Sequence, residues 1–327
     1  MKNLPAVLLV LGLPLMGGEM VLAEVSAPAS IHQQPTIQLH LRQQFTGSEV
    51  ALNRIYFSPD SQFLVTASAD GVGALWTKEG VMMSVQLEGQ KPPMFNARFS
   101  PDGETLITTG YDGTIRLWNL RGQLLEEQRP HRAAVADALF SPDGQIIVTC
   151  SDDGQTQIFT RQGERLAGVL NPGTARNLAY HPRGILIASV SDSGSLYLIN
   201  PQGKIEREIA TGQGRINNVN FSPDGQQLLT AGTNGSAKLW NLAGELITEY
   251  KVVPTGWVNS AQFYPQGEWL ATASDDGAIR LWGKDGRLLH ELLLGSGKLT
   301  SLSFSSDGNY LAATGSQGKV WVFHLSK

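Results

Sequence analysis

Charge is scarce in this chain, and the scarcity excludes several classes at once. Asp, Glu, Lys and Arg make up 17% of the 327 residues, against roughly 25% in an average soluble protein. Beside 41% hydrophobic residues, so little charge is incompatible with intrinsic disorder or a coiled coil. No run of Lys and Arg occurs and the net charge is −4, so the basic stripe of a nucleic-acid binder is missing. A single cysteine, Cys150, excludes an intramolecular disulfide and any cysteine-based metal site. Its neighbours, Ile146-Ile147-Val148-Thr149, read as a buried strand, which makes the thiol a small core side chain. Long apolar runs are missing too, except from Leu4 to Met16. Pro5, Pro14, Gly17, Gly18 and Glu19 interrupt that stretch too often for a membrane span of about 20 residues.

The apolar stretch has another reading. Lys2 supplies a charged start, Leu4 to Met16 an apolar middle, and Val21-Leu22-Ala23 a peptidase site. This pattern predicts a signal peptide over 1–23, cleaved after Ala23, and a short tether over 24–38 containing Pro28 and Pro35. The expectation is an exported, periplasmic protein that is not an integral membrane protein after cleavage.

Glycine is what the chain has in excess: 36 residues, joined by 16 prolines. Their spacing is regular. An aromatic residue followed by a Ser-Pro-Asp-Gly-like turn begins at Phe57, Phe99, Phe140, Tyr180, Phe221, Phe263 and Phe304, at intervals of 42, 41, 40, 41, 42 and 41 residues. A period of about 40–45 residues belongs to four-stranded propeller blades. Within each unit an apolar second strand follows, such as Leu64-Val65-Thr66-Ala67. Next comes a tight hairpin: Asp70-Gly71, Asp112-Gly113, Asp153-Gly154, Ser193-Gly194, Asn234-Gly235, Asp276-Gly277 or Gln317-Gly318. A third strand then ends on Trp76, Trp118, Phe159, Ile199, Trp240, Trp282 or Phe323. Glycines four residues later, from Gly80 to Gly286, turn the chain into an outer strand.

These residues resemble WD repeats over 39–327 in all three features: the aromatic-x-Pro-Asp-Gly turn, the hairpin Asp and the third-strand Trp. The resemblance implies an all-β fold, a seven-bladed β-propeller of four-stranded antiparallel blades. The last copy stops after its third strand, and Leu39–Phe45 stands at outer-strand spacing upstream of the first. That predicts closure of the ring by an N-terminal strand beside Val320–Phe323, which removes an exposed sheet edge. The family's buried bond set joins the hairpin Asp, a loop His, a strand Ser or Thr, and the Trp. Ser or Thr recurs at Thr66, Thr108, Thr149, Ser189, Thr230 and Thr272, but the loop His survives only at His131, in a unit that carries Phe159 instead of Trp. No unit holds all four, so blade rigidity is expected to rest more on packing than on this set.

The resemblance also implies that partners gather on the face bearing the loop before the first strand and the second hairpin. Two rows of residues fall there. Before the hairpin Asp stand Ala69, Tyr111, Asp152, Asp192, Thr233, Asp275 and Ser316; at the start of the first strand stand Asn53, Phe95, Ala136, Arg176, Asn217, Asn259 and Thr300. The next row, Arg54, Asn96, Asp137, Asn177, Asn218, Ser260 and Ser301, is wholly polar, and the one after it wholly apolar. Strand alternation assigns the polar row to the channel or its rim. Trp257 breaks the repeat, since its counterparts are Ala51, Pro93, Ala134, Thr174, Arg215 and Lys298. Trp, Tyr and Arg dominate interface hot spots. The candidate partner-binding residues are therefore Trp257, Tyr111, Phe95, Arg54, Arg176, Asp152, Asp192 and Asp275.

No nucleophile with a partnered base and no His pair at metal spacing is evident. The expectation is a monomeric, non-enzymatic platform for unknown protein partners, with no cofactor, no metal and no nucleic acid. The alternative is a propeller hydrolase or small-ligand binder holding a divalent cation in the channel, with Asn96, Asp137, Asn177 and Asn218 as oxygen ligands.

Overall fold

A computed structural model describes residues 37–295 and 297–326. The signal and nearly all of the tether expected over 1–38 lie outside these described residues.

The described chain is built from seven four-stranded antiparallel sheets, each a blade. Blade 1 runs from an inner strand, Leu52–Phe57, through Phe63–Ser68 and Gly73–Thr77 to an outer strand, Met82–Leu87. Blades 2 to 6 repeat this plan with inner strands Met94–Phe99, Val135–Phe140, Ala175–Tyr180, Ile216–Phe221 and Val258–Phe263. Blade 7 contributes Leu299–Phe304, Tyr310–Gly315 and Lys319–Ser326, and its fourth strand is Gln38–Thr46. Leu39 pairs with Leu325 and Phe45 with Val320, with a bulge between Leu41 and Gln43. The expected N-terminal closure is thus present. No helix among the described residues is long and apolar enough to cross a membrane.

Local chemistry explains the repeat. In the first turn of blade 2 the Ser100 hydroxyl donates to Asp102, and the amides of Glu104 and Thr105 donate back to Asp102 and Ser100. The glycine of this turn takes a positive φ, 74° at Gly103, a region that costs other residues about 1–2 kcal/mol. Blade 1 has Ser61 there instead, at φ 64°, and its hydroxyl accepts the Asp307 amide of blade 7 at 3.3 Å.

Seven apolar clusters fill the spaces between neighbouring blades. Trp282 of blade 6, for example, packs with Leu229, Leu239 and Tyr250 of blade 5. Trp76 of blade 1 packs with Ala312, Val320 and Val322 of blade 7, so the last junction is as apolar as the others. Both faces of most strands are therefore covered, which accounts for the low charge.

The buried bond set is more complete than its histidines suggest, alongside this packing. His131 does join Asp153, at 3.0 Å, to Thr149, at 2.7 Å. In blade 2 the loop position is Gln90, whose amide donates to Asp112 at 2.9 Å and accepts from Thr108 at 3.0 Å, while Trp118 donates to Thr108 at 2.9 Å. Gln213 likewise accepts from Thr230, which accepts from Trp240. A primary amide offers a donor and an acceptor, as a neutral imidazole does. Glutamine thus restores the full set in blade 2 and part of it in blade 5 with a different side chain.

Candidate functional site

The inner strands deliver two polar belts. The wholly polar row is not exposed to the channel as alternation suggests: Asn96, Asp137, Asn177, Asn218, Ser260 and Ser301 are all buried. The oxygens of all but Asn96, whose Oδ1 has no partner, accept amides from the next blade. Asp137 takes Leu178 N at 3.0 Å, Asn177 takes Val219 N at 2.9 Å and Asn218 takes Ala261 N at 3.0 Å. Ser260 takes Leu302 N, and Ser301 takes Ile55 N across the closure. Burial pushes the Asp137 carboxyl up, opposed by Arg98 at 3.0 Å. Asn96, Asn177, Arg98 and Leu178 all donate to it, a surrounding made for the ionised form. Three of the four oxygen ligands of the cation alternative, Asp137, Asn177 and Asn218, are therefore spent on blade-to-blade bonds.

A second belt lies one residue earlier. Asn53 donates to Met94 O at 2.7 Å, Asn217 to Val258 O at 3.1 Å and Asn259 to Leu299 O at 2.8 Å. These strand starts surround a cavity of about 330 Å³ at one mouth of the ring.

Six of the eight candidates line this cavity: Trp257, Phe95, Arg54, Arg176, Asp152 and Asp275. Tyr111 and Asp192 do not. Tyr111 stands 64% exposed. Asp192 reaches Arg176 at 3.8 Å and holds the Thr174 amide at 2.9 Å.

The aspartates act as counter-ions. Arg176 lies 3.0 Å from Asp152, and Lys298 lies 2.8 Å from Asp275. Arg54 instead crosses from blade 1 to the carbonyls of Asn217, at 3.1 Å, and Thr300, at 3.4 Å. Arg215 donates through Nε to Asn217 Oδ1 at 3.1 Å and places its guanidinium carbon 4.5 Å from the centre of a Trp257 ring. Lys298 Nζ lies 5.6 Å from the same residue's ring. Partial burial, then the nearby Arg176 charge, depress the pKa of Arg215.

Arg215 and Lys298 are the cavity-lining cations that sequence reasoning passed over. Both stand at the position of Trp257 in the adjacent blades, so their register with the indole was the available signal. Trp257 is 41% exposed, whereas the other six tryptophans are at most 7% exposed. It is at once clamped by cations and open to solvent. A Trp between two cations, in a cavity that Phe95 also lines, can bind the apolar stem of a side chain and orient its polar end.

Comparison with known proteins agrees with the architecture. A family model described as the IFT122 first beta-propeller matches residues 51–324. The WD repeat-containing protein slr1409 of Synechocystis sp. (strain ATCC 27184 / PCC 6803 / Kazusa) is 74% identical over 326 residues, covering 100% of both chains. A second protein of that organism, the uncharacterized WD repeat-containing protein slr1410, is 38% identical over 268 residues, covering 79% of this chain and 80% of its own. With seven blades of WD type and these two relatives, the chain belongs to the WD-repeat family of β-propellers.

Proposed function

We propose that this protein is a non-enzymatic platform for protein partners in the periplasm, acting as a monomer, with the Trp257 mouth as its contact site. One observation carries the reading: the one tryptophan left open to solvent lies in a cavity shared with Phe95, Arg54 and Arg176. Buried aromatic and arginine anchors around a depression are the usual energetic centre of an interface. Export rests on the charged, apolar and small-residue pattern of residues 1–23, and the single buried cysteine suits an oxidising compartment.

The test is affinity purification from the envelope fraction of the native cell, followed by mass spectrometry. The wild type is expected to retain specific proteins that Trp257→Ala loses, with overlapping melting curves for the two. Identical retention by both would remove the mouth from the reading. Amino-terminal sequencing of the purified protein is expected to begin at Glu24.

A further inference from the structure

The mouth has more positive charge than its own carboxylates match. Arg176 is answered by Asp152 and Asp192, and Lys298 by Asp275. Arg54 has only the neutral carbonyls of Asn217 and Thr300. Arg215 bonds the Asn217 amide oxygen and lies on the face of Trp257, while the Asp192 carboxylate acts on it only as a weaker, unbonded charge. Among the described residues neither guanidinium forms an ion pair. Both line the same cavity, so two cations without a bonded carboxylate face one space in a protein whose net charge is −4.

We propose that the mouth is a receptor for a single carboxylate on a partner's peptide segment, a Glu or Asp side chain. The proposal rests on the platform reading and deepens it by fixing the partner's chemistry. Guanidinium groups recognise carboxylates through paired, charge-assisted N–H···O bonds. The stem of the entering residue lies against Trp257, which Arg215 already holds in place.

Two features select this ligand over its rivals. Asp152 and Asp275 line the cavity as well, so a second negative charge, as on a phosphate dianion, meets like charge. A cationic side chain would have to displace Arg215 from the indole. The volume of about 330 Å³ is at the small end of ligand pockets, roughly 300–1,000 Å³, and suits one inserted side chain.

The experiment is an array of octapeptides randomised around a fixed fourth residue, Glu, Gln, Lys or phosphoserine, probed with the purified protein. The Glu set is expected to retain at least about tenfold more protein than the Gln set, because bonds to a charged acceptor are the stronger ones. The advantage shrinks as salt is raised. Arg215→Gln removes the preference, Arg215→Lys keeps part of it, and Arg54→Ser weakens it, all with melting curves close to wild type. Equal retention on the Glu and Gln sets, a lead for Lys or phosphoserine, or retention on no set would overturn the proposal. Trp257-dependent co-purification is read separately: it persists if only the charge preference is wrong and vanishes if the platform reading fails.

Discussion

Replacing Gln90 by Ala tests whether a glutamine does the work of the family's histidine in blade 2. Thr108 is fully buried, and its oxygen already accepts the Trp118 indole N–H at 2.9 Å. Its hydroxyl proton goes to Gln90 Oε1 at 3.0 Å, and truncation leaves that donor unpartnered. Such a loss costs about 1–3 kcal/mol, and Asp112 loses a second bond at 2.9 Å. Adding the void left by the amide gives a total of about 2–4 kcal/mol. At roughly 2–4 °C per kcal/mol for a domain of this size, the melting point falls by about 4–16 °C. Urea denaturation monitored by tryptophan fluorescence gives the free energy directly. A double-mutant cycle sharpens the test. A Cβ at Gly110 would lie 2.3 Å from the Gln90 side chain, whereas blade 3 pairs His131 with Ser151 at these two positions. Gly110→Ser alone should therefore destabilise by about 1–3 kcal/mol through overpacking. Combined with Gln90→His it should recover most of that loss. If Gln90→Ala stays within about 0.5 kcal/mol of wild type, or the pair is merely additive, the substitution argument fails.

Three further expectations concern the scaffold. Burial depresses the pKa of His131, opposed by Asp153, and the neutral ring satisfies both Asp153 and Thr149. The unfolded chain therefore binds the extra proton first, so stability present above the ordinary histidine pKa is lost as pH falls below it. His131→Gln should flatten that part of the stability curve in urea titrations from pH 7.5 to 5. Deleting residues 37–45 removes the strand paired with Val320–Leu325 and should abolish cooperative unfolding; an unchanged melting transition would sink the closure argument. Burial, then the Asp137 charge, push the Cys150 thiol well up, so a thiol reagent should label it only on unfolding, which can be followed by absorbance in native and denaturing buffer.

Repetition made the fold legible. A 41-residue register fixed strand order, turn positions and closure before any coordinate was needed, because each unit must present the same edges to its neighbours. The site was legible only in part. Trp257 stood out against its counterparts, but Arg215 and Lys298 passed as background when they are the cations that flank it. The polar row was misassigned for a physical reason. Alternation separates two faces of a strand, and in a propeller both faces of an inner strand can meet other blades. Polarity at Asn177 or Asn218 therefore signals an amide acceptor between blades. A search by residue type also missed Gln90 and Gln213, since bond chemistry rather than identity is what the position requires.

Arg54 is where the repeat and the mouth compete most openly. In five of the seven junctions, a side-chain oxygen of the polar row accepts an amide from the next blade, at Leu178, Val219, Ala261, Leu302 and Ile55. Arginine has no acceptor, so the junction between blades 1 and 2 lacks this bond to Ala97. The guanidinium is sent across the mouth instead, to carbonyls at 3.1 and 3.4 Å. The second of these bonds is long, and the half-buried charge they hold forms no ion pair among the described residues. Arg54→Ser places in blade 1 the residue that blades 6 and 7 carry as Ser260 and Ser301. The gained acceptor is worth about 0.5–1.5 kcal/mol, comparable to what the two carbonyl bonds contribute. The variant should therefore be at least as stable as wild type in urea, while losing affinity for acidic segments. Stability traded for a charge in the binding mouth is the pattern expected of a functional position. A loss of more than about 1 kcal/mol would instead make Arg54 a structural strut, and the cavity floor part of the scaffold rather than of the receptor.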